Sequence, residues 1–414
     1  MNELLIKGEA SKKASVKLRN LSKSDKTKII KGIMSALDKN RLYILTENYK
    51  DIEAAKANGM KDTMLDRLSL NNDRIDDMIS GAEKLLSLED PVGEVISMWE
   101  RPNGIKIGKK RVPLGVIGII YEARPNVTVD AALLCLKTSN AVILKGGKEA
   151  INSNIALVNV IKEAIKELGF DENFVNIINN TDRETTLEFM KLNKYLDVLI
   201  PRGGAGLIKA TLENATVPVI ETGTGNCHTY VDETFDKDMA IKIIINAKTQ
   251  RPSVCNACES LLIHKNAAPS FLPLIAEKLQ DKRVEVRGCE KCLEICPGLT
   301  PATEEDFYTE YTDLIISVKI VENIEEAISH INEHSTGHSE CIVTDNYFNS
   351  EKFLNEIDSA CVYVNASTRF TDGFEFGFGA EIGISTQKLH ARGPMGLKEL
   401  TSVKYIIYGN GQVR

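Results

Sequence analysis

The chain has 414 residues, of which 43% are hydrophobic and 26% charged, a composition typical of an ordinary globular protein with two or three domains. Its 51 Lys and Arg residues against 58 Asp and Glu residues give a net charge of −7 without a basic cluster, so we do not expect nucleic acid as a partner. The sequence shows neither a membrane-spanning apolar run nor the apolar centre of a secretory signal, and we expect a soluble, cytoplasmic protein.

The first 90 residues predict helices, because apolar residues recur at helical intervals, as at Ile30, Ile33 and Leu37. Residues 101–114 carry a Pro-Asn-Gly turn between two short runs and predict a hairpin or a protruding arm. An apolar segment at 403–408 near the C-terminus is expected to associate with this arm and to complete an oligomer.

From residue 115 onwards, short apolar runs typical of buried parallel strands alternate with helical patterns. The predicted strands are 115–120, 141–145, 174–178, 198–200, 217–220, 261–264 and 314–318, with two more around Ile342 and Val362. The predicted helices are 149–168, 184–192 and 324–332, with two more near Ala240 and from Ala267. This alternation predicts two doubly wound α/β domains, which meet near the Gly-rich residues 222–227.

Nine cysteines are scattered from Cys135 to Cys361, which predicts reduced thiols rather than a disulfide framework. The candidate nucleophile is Cys255, in the segment QRPSVCNACE between a predicted helix and a buried strand. Backbone N–H groups and the nearby Arg251 would favour its thiolate. Inert packing is the alternative for any single cysteine, and Cys258 is the rival nucleophile.

Two Gly-containing loops follow predicted strands. Gly203, Gly204 and Gly206 open a helix after the strand at 198–200, where a backbone can approach a phosphate, although a tight turn explains the glycines equally well. Lys145 and Lys148 flank two glycines after the strand at 141–145 and suit a nucleotide phosphate, with a solvated loop as the alternative.

The order of these segments resembles the aldehyde dehydrogenase superfamily over nearly the whole chain. The matching segments are PLGVIG at 113–118, AVILK at 141–145, RGGAG at 202–206, ETG at 221–223, Cys255 and EYTDLIISV at 310–318. Three further segments resemble the γ-glutamyl phosphate reductase branch of that superfamily: YEARPNVT at 121–128, SVCNACE at 253–259 and VENIEEAISHINEHSTGHSECI at 321–342.

This resemblance implies an aldehyde-dehydrogenase-like fold and a reaction of proline biosynthesis. NADPH would reduce L-glutamate 5-phosphate to L-glutamate 5-semialdehyde, and phosphate would be released after Cys255 forms a thioester. Two alternatives stay open: a hydrolytic aldehyde dehydrogenase that acts on a small semialdehyde, and a regulatory or metal-binding protein that retains the fold.

The resemblance also implies roles for individual residues. The predicted catalytic residues are Cys255 as nucleophile and Glu221, which occupies the family's general-base position and serves either structure or proton transfer. The family's oxyanion-donor Asn is missing from the segment at 121–125, and Asn126, one position beyond Pro125, is the predicted substitute. The predicted substrate-binding residues are Arg124, Arg251, His338 and Ser339. The predicted cofactor-binding residues are Lys145, Lys148, Gly203, Gly204, Gly206 and Glu310, with Glu310 at the ribose.

Lys148 favours NADPH because NAD-preferring members often carry an acidic residue at that position, but a shift of one residue would place Glu149 there and reverse the preference. No metal is predicted. His330, His334 and His338 do not share one helix face if Gly337 ends the helix, and Cys289, Cys292 and Cys296 lack a fourth ligand, which leaves them incidental or redox-sensitive.

The predicted cofactor domain spans 1–100 and 115–225, and the predicted catalytic domain spans 226–370. Residues 101–114 and 371–414 form the arm and the C-terminal segment. We expect a homo-oligomer, and glutamate 5-kinase, which makes the labile acyl phosphate, is a possible further partner.

Overall fold

The computed structural model describes residues 2–414, without the side chains of residues 62 and 63. The chain divides into two compact units. The first holds the chain up to Glu221 together with Gly377–Gly383 and Met395–Arg414, and the second holds Thr222–Phe376 and Ile384–Pro394. The division after Glu221 lies next to the Gly-rich segment at 222–227. No helix within residues 2–414 is both long enough and apolar enough to cross a membrane.

The first unit opens with helices, as the sequence predicts. They are α1 (Glu3–Arg19), α2 (Lys23–Lys39), α3 (Arg41–Ala57), α4 (Asp62–Leu68) and α5 (Asn72–Ser87). Ser22 and Asp25 form a reciprocal capping box at the start of α2, and Asn71 caps α5. Such caps satisfy backbone N–H groups that a helix start leaves without partners.

A four-stranded parallel sheet in the order β5-β4-β3-β6 forms the core of the first unit. Its elements are β3 (Val116–Tyr121), α6 (Pro125–Lys137), β4 (Ala141–Gly146), α7 (Ile151–Glu167), β5 (Val175–Ile177), α8 (Arg183–Phe189), β6 (Val198–Arg202) and α9 (Ala205–Asn214). The strands β3 and β4 are buried along their whole length. The prediction of a strand at 217–220 is wrong: only Val219 bridges to Leu199, because Pro218 has no N–H to continue a ladder.

The predicted arm is a three-stranded antiparallel sheet in the first unit. Its strands are β1 (Val95–Glu100), β2 (Lys106–Pro113) and β16 (Thr401–Tyr408), in the order β1-β2-β16. The C-terminal strand pairs with β2 over its full length, from Thr401 opposite Pro113 to Tyr408 opposite Lys106. The expected association of the C-terminal segment with the arm is therefore present within one chain.

The second unit contains a seven-stranded parallel sheet in the order β10-β9-β11-β8-β7-β12-β13. Its strands are β7 (Cys227–Val231), β8 (Cys258–His264), β9 (Glu285–Gly288), β10 (Thr300–Pro301), β11 (Ile315–Val321), β12 (Ser339–Val343) and β13 (Cys361–Val364), with the separate pair β14 (Ile384–Ser385) and β15 (Gly393–Pro394). Its helices are α10 (Lys237–Thr249), α11 (Ala268–Asp281), α12 (Glu290–Ile295), α13 (Ile324–His334) and α14 (Tyr347–Glu356).

The second unit packs α10 and α11 against one face of this sheet, around buried residues such as Ile244, Leu261 and Phe271. The sequence did not predict β7, β9 or α14. The strand β7 reads CHTYV and is buried throughout, with His228 Nδ1 3.2 Å from Glu340 Oε2 of β12 and the Cys258 thiol of β8 donating to Thr229 Oγ1 at 3.4 Å. Composition alone does not identify such a strand.

Candidate active site

Cys255 lies in the nucleophile loop (residues 250–257), which joins α10 to β8 in the second unit. The helix ends at Thr249 and the strand begins at Cys258, so the thiol stands just before the N-terminal end of a central strand. Its side chain is half-buried. Partial access allows a thiol to meet a substrate, as the predicted nucleophile requires.

Cys258, the rival nucleophile, lies in a different environment. It is fully buried, and its thiol lies 3.3 Å from the carbonyl oxygen of Ser260 and 3.4 Å from the hydroxyl of Thr229. Burial raises the pKa of Cys258 to about 11. A buried thiol that stays protonated near neutral pH is a poor nucleophile, and this favours Cys255.

The backbone carbonyl of Cys255 is enclosed by two residues that the sequence did not identify. The Cys227 thiol donates a hydrogen bond to this oxygen at 3.1 Å. Gly225 lies directly against the same carbonyl, and a Cβ at that position would overlap it. The conformation of the nucleophile loop therefore depends on a glycine at 225.

Asn256 anchors the other side of the nucleophile loop. Its Nδ2 donates to the carbonyl oxygen of Thr371 at 2.8 Å, and the Thr368 hydroxyl donates to the Asn256 carbonyl at 2.8 Å. The Arg369 guanidinium donates to Asn256 Oδ1 and, at 3.0 Å, to Gln250 Oε1. Arg369 thus spans both ends of the loop that carries Cys255.

Arg369 also adds positive charge near the nucleophile. Burial lowers the pKa of Arg369, the charge of Arg251 lowers it further, and the Cys255 sulfur acts in the opposite direction. Two guanidinium groups therefore interact electrostatically in the region of Cys255, which suits an anionic substrate. Arg369 was not predicted from the sequence because it lies far from Cys255 along the chain and belongs to none of the recognised segments.

His338 and Ser339 are fully buried at the start of β12. His338 Nδ1 lies 2.8 Å from Ser339 Oγ and 3.8 Å from Cys227 Sγ, and Ser339 Oγ lies 2.6 Å from Thr371 Oγ1. These contacts connect Cys227, which binds the Cys255 carbonyl, with Thr371, which binds the Asn256 side chain. The predicted contact of both residues with the substrate stays a prediction, and the structure gives them a supporting position.

The two predicted carboxylates lie in different units. Glu310 is half-buried in the second unit, and its Oε1 accepts a hydrogen bond from the Gly225 N–H at 2.9 Å. It therefore also contributes to the position of Gly225 beside Cys255. Glu221 is half-buried at the end of the first unit's main segment.

The predicted cofactor residues follow neighbouring strands of the first unit. Tyr121 at the end of β3 pairs with both Gly146 of β4 and Arg202 of β6, so the loops after all three strands meet at one edge of the sheet. Crevices at the carboxyl ends of parallel strands are where open α/β sheets bind ligands.

The glycine loop at this edge suits close approach of a ligand. Gly204 precedes α9, and its N–H donates to Glu122 Oε2 at 2.9 Å. A Cβ at Gly203 would come within 2.6 Å of the same carboxylate oxygen, so a side chain there would require Glu122 to move. The N-terminus of a ten-residue helix also favours an anion.

The two lysines at this edge differ in exposure. Lys148 is exposed in a 3₁₀ turn (Lys148–Ala150), whereas Lys145 is buried at the end of β4, and burial lowers the pKa of Lys145. An exposed cation and a glycine loop that opens a helix, both at the same edge of the sheet, are donors that a nucleotide phosphate requires. The residues therefore fit a nicotinamide dinucleotide.

Asn126 and Arg124 lie at the start of α6 in the first unit. Asn126 is exposed, and its Nδ2 donates to Asp130 Oδ2 at 3.2 Å, one helical turn later. Burial raises the pKa of Asp130 to about 6, while Asn126 and Arg202 oppose this rise. Asp130 is thus a further residue that the sequence analysis missed, although its i, i+4 spacing from Asn126 was readable.

The histidine cluster has an aromatic rather than a metal-binding arrangement. The His330 and His334 rings stack at 3.9 Å between centroids, and both pack edge-on against Phe307. The helix α13 ends at His334, so His338 lies outside it. Within residues 2–414, no group of three or more His, Cys, Asp or Glu side chains is arranged to hold a metal ion.

Comparisons with known proteins agree with this architecture. The aldehyde dehydrogenase family matches residues 7–313 and 309–406 of the chain. The γ-glutamyl phosphate reductase of Caldicellulosiruptor bescii is 62% identical over 418 residues that cover both chains completely. The crystal structure of the γ-glutamyl phosphate reductase of Thermotoga maritima is 55% identical, covers 100% of both chains and superposes with a TM-score of 0.98.

A more distant structure, an engineered glycolyl-CoA reductase with bound NADP⁺, covers 98% of this chain and 96% of its own, with 19% identity and a TM-score of 0.67. At that identity the likeness concerns the fold. The full-length matches at high identity show more: the chain belongs to the aldehyde dehydrogenase family and, within it, to the γ-glutamyl phosphate reductases.

Proposed function

We propose that the chain reduces L-glutamate 5-phosphate to L-glutamate 5-semialdehyde with NADPH and releases phosphate, which is the second step of proline biosynthesis. The observation that carries this proposal is the half-buried thiol of Cys255 in a loop anchored by Asn256 and Arg369, in a chain 62% identical to a γ-glutamyl phosphate reductase. A thiol in such a position suits acyl transfer.

The reaction proceeds through a thioester on Cys255. The thiolate attacks the acyl carbon of the mixed anhydride, the carbon–oxygen bond to phosphate breaks, and phosphate leaves. NADPH, when bound, supplies a hydride for the acyl carbon. The thiohemiacetal on Cys255 then collapses, the carbon–sulfur bond breaks, and the aldehyde leaves while the thiolate is restored.

Both tetrahedral species carry an oxyanion that needs hydrogen-bond donors. The backbone N–H of Cys255 is one proposed donor, and the enclosure of the Cys255 carbonyl by Gly225 and Cys227 fixes the local backbone. Asn126 is proposed as a second donor, with Asp130 as the residue that orients its amide. Loss of one such donor typically lowers the rate by about 10²–10³-fold.

The substrate carries a phosphate and a carboxylate, and guanidinium groups bind both well. We assign these anions to Arg124, Arg251 and Arg369. His338 and Ser339 are proposed to bind the substrate as well, and Ser339 also contacts Thr371, which accepts a hydrogen bond from Asn256. Glu221 either transfers a proton to or from Cys255 or has a structural role.

The cofactor is assigned to the sheet edge of the first unit. Gly203, Gly204 and Gly206 would allow close approach of the pyrophosphate, and Lys148 and Lys145 would supply the positive charge for the phosphates of NADPH, with Lys148 at the 2′-phosphate. Glu310 is the proposed ribose contact. The aldehyde dehydrogenase family, to which the chain belongs, uses nicotinamide cofactors.

Assembly is assigned to the three-stranded sheet. Its outer strands β1 and β16 expose apolar side chains, including Trp99, Tyr405 and Ile407, which are 41%, 60% and 65% exposed. Such a surface with open strand edges suits a second copy of the chain, and we propose a homo-oligomer. A cytoplasmic location and contact with glutamate 5-kinase, the source of the acyl phosphate, complete the proposal.

The decisive test is the reverse reaction, in which the semialdehyde reduces NADP⁺ only when phosphate is present. A hydrolytic dehydrogenase would turn over without phosphate, and a binding protein would not turn over. We expect Cys255→Ala to abolish the reaction and Cys258→Ala to retain most of it. Full activity of the Cys255 variant would contradict the nucleophile assignment.

A further inference from the structure

Two cysteines outside the nucleophile loop lie side by side in the second unit. Cys289 follows β9, and Cys292 lies one helical turn later in α12. Their sulfur atoms are 3.5 Å apart. Because the sulfurs of a disulfide are about 2.05 Å apart, small rotations of the two side chains would bring these thiols into bonding distance.

The two thiols differ in access and in protonation. Cys289 is half-buried, whereas Cys292 is fully buried. A hydrogen bond from the Cys292 thiol lowers the pKa of Cys289. Backbone N–H groups, of which that of Ile320 has the largest effect, lower it further. The same hydrogen bond, together with burial, raises the pKa of Cys292. Cys289 is therefore the accessible thiolate, and Cys292 keeps the proton.

This pair is separate from the nucleophile loop. Val318 of β11 pairs with Gly288 of β9 on one side and with Leu261 of β8 on the other, so Gly288 and Leu261 lie at the same height in the sheet. Cys289 follows Gly288 and therefore lies one residue further along the strand direction. Cys258 begins β8 at its other end, roughly 13 Å away along the strand direction at about 3.3 Å per residue. Chemistry at Cys289 is therefore distinct from chemistry at Cys255.

We propose that Cys289 and Cys292 are a modification site that forms a reversible disulfide by exchange with an oxidised low-molecular-weight thiol. Two thiols, one accessible and ionised and one buried beside it, are the arrangement of an attacking and a resolving cysteine.

The exchange balances in two steps. The Cys289 thiolate attacks one sulfur of the oxidised thiol, whose sulfur–sulfur bond breaks, and one reduced thiol leaves with a proton from solvent. Cys292 then loses its proton and attacks the Cys289 sulfur, and the second reduced thiol leaves. The protein loses two electrons and the Cys292 proton, and the oxidised thiol gains these two electrons, that proton and the proton from solvent.

Oxidised glutathione is the probe, applied to the full chain with Cys255→Ala so that the nucleophile thiol does not react. We expect alkylation and mass spectrometry to find a peptide that links Cys289 to Cys292, two hydrogens lighter than its reduced form, and dithiothreitol to reverse the link. At pH 7 we expect iodoacetamide to alkylate Cys289 about tenfold faster than Cys296 in the reduced protein.

Two variants in the same background separate the roles. Cys292→Ser should stop the reaction at a glutathione adduct on Cys289, because the resolving thiol is absent. Cys296→Ser is the matched control and should form the link as the parent does. Failure of the folded parent to link Cys289 with Cys292, or a link that requires Cys296, would overturn the proposal, with thermal melting as the check that each variant is folded.

Discussion

Gly225 lies so close to the backbone carbonyl of Cys255 that no side chain fits between them, and the Cys227 thiol donates a hydrogen bond to the same oxygen. The Gly225 N–H in turn donates to Glu310 at 2.9 Å. The position of the nucleophile is therefore set by contacts of its carbonyl with a segment that precedes it by almost thirty residues. This relationship makes the nucleophile loop sensitive to changes that do not touch the thiol.

Gly225→Ala should displace the nucleophile loop and lower kcat/KM by about 10²-fold or more, because misplacement of a reacting group by about 1 Å has an effect of that size. Steady-state kinetics of the phosphate-dependent reaction measure the loss. Gly298→Ala is the matched control, since nothing lies within 4 Å of a Cβ at that position. Near-normal activity of a folded Gly225→Ala protein would contradict the importance of this contact.

Asp130→Asn should stabilise the protein at neutral pH. Burial raises the pKa of Asp130 to about 6 in the folded state, above the ordinary value of about 3.9. Because the folded state holds the Asp130 proton more tightly than the unfolded state, the protonated side chain favours folding at acid pH. This contribution to stability is lost as the pH rises through about 6. The variant has no proton to lose at this position, so its free energy of unfolding relative to the parent should rise from pH 4 to pH 7. The expected gain is roughly 1.4 kcal/mol per unit of pKa shift and about 3 kcal/mol at most.

Thermal or urea unfolding across this pH range measures the effect of Asp130→Asn. Glu163→Gln, which changes an exposed carboxylate in the same unit, is the comparison and should track the parent. If the two variants show the same pH profile, the raised pKa of Asp130 does not contribute to stability.

Lys148→Glu should weaken NADPH relative to NADH, because it replaces an exposed cation by an anion beside the glycine loop. The ratio of the two dissociation constants, measured by the shift in melting temperature that each cofactor produces, tests this without turnover. Lys166→Glu makes the same charge change at an exposed position near the end of α7 and should leave the ratio unaltered. An unchanged ratio in Lys148→Glu would instead favour Glu149 as the determinant.

Lys248 and Glu259 form an ion pair at 2.5 Å, and both side chains are fully buried behind the nucleophile loop. Burial raises the pKa of Glu259 to about 8 against the opposing effect of Lys248. Lys248→Met should therefore destabilise the fold more as the pH rises above 8, towards about 3–5 kcal/mol, because only the ionised form of Glu259 leaves a buried charge without its partner. Denaturant unfolding measures the loss.

The double variant Lys248→Met with Glu259→Gln should recover most of that stability, because it removes both charges and keeps an acceptor for the Thr312 N–H. Lys13→Met removes one member of an exposed pair with Glu9 and should leave stability nearly unchanged, because solvent screens such a pair. Additive losses in the double variant would show that the two buried charges do not depend on one another.

The sequence by itself determined the fold class and the family, and it located the loop that carries the proposed nucleophile. These rest on local patterns: apolar runs such as AVILK form buried strands, α7 shows its periodicity, and the segments around Cys255 and residues 321–342 are contiguous motifs. Local patterns are readable because helix and strand periodicities involve neighbours along the chain. The same reasoning was wrong at 217–220. This segment is apolar, but Pro218 has no N–H to donate, and only an isolated bridge between Val219 and Leu199 forms.

Only the tertiary structure decided which residues surround the nucleophile. Gly225, Cys227 and Arg369 are brought to the nucleophile loop by the pairing of β7 with β8 and by the turn that follows β13. It also separated Cys255 from Cys258, since burial differs sharply over three residues where a loop enters a strand. Burial and long-range hydrogen bonds depend on elements distant in sequence, and no window along the chain contains them.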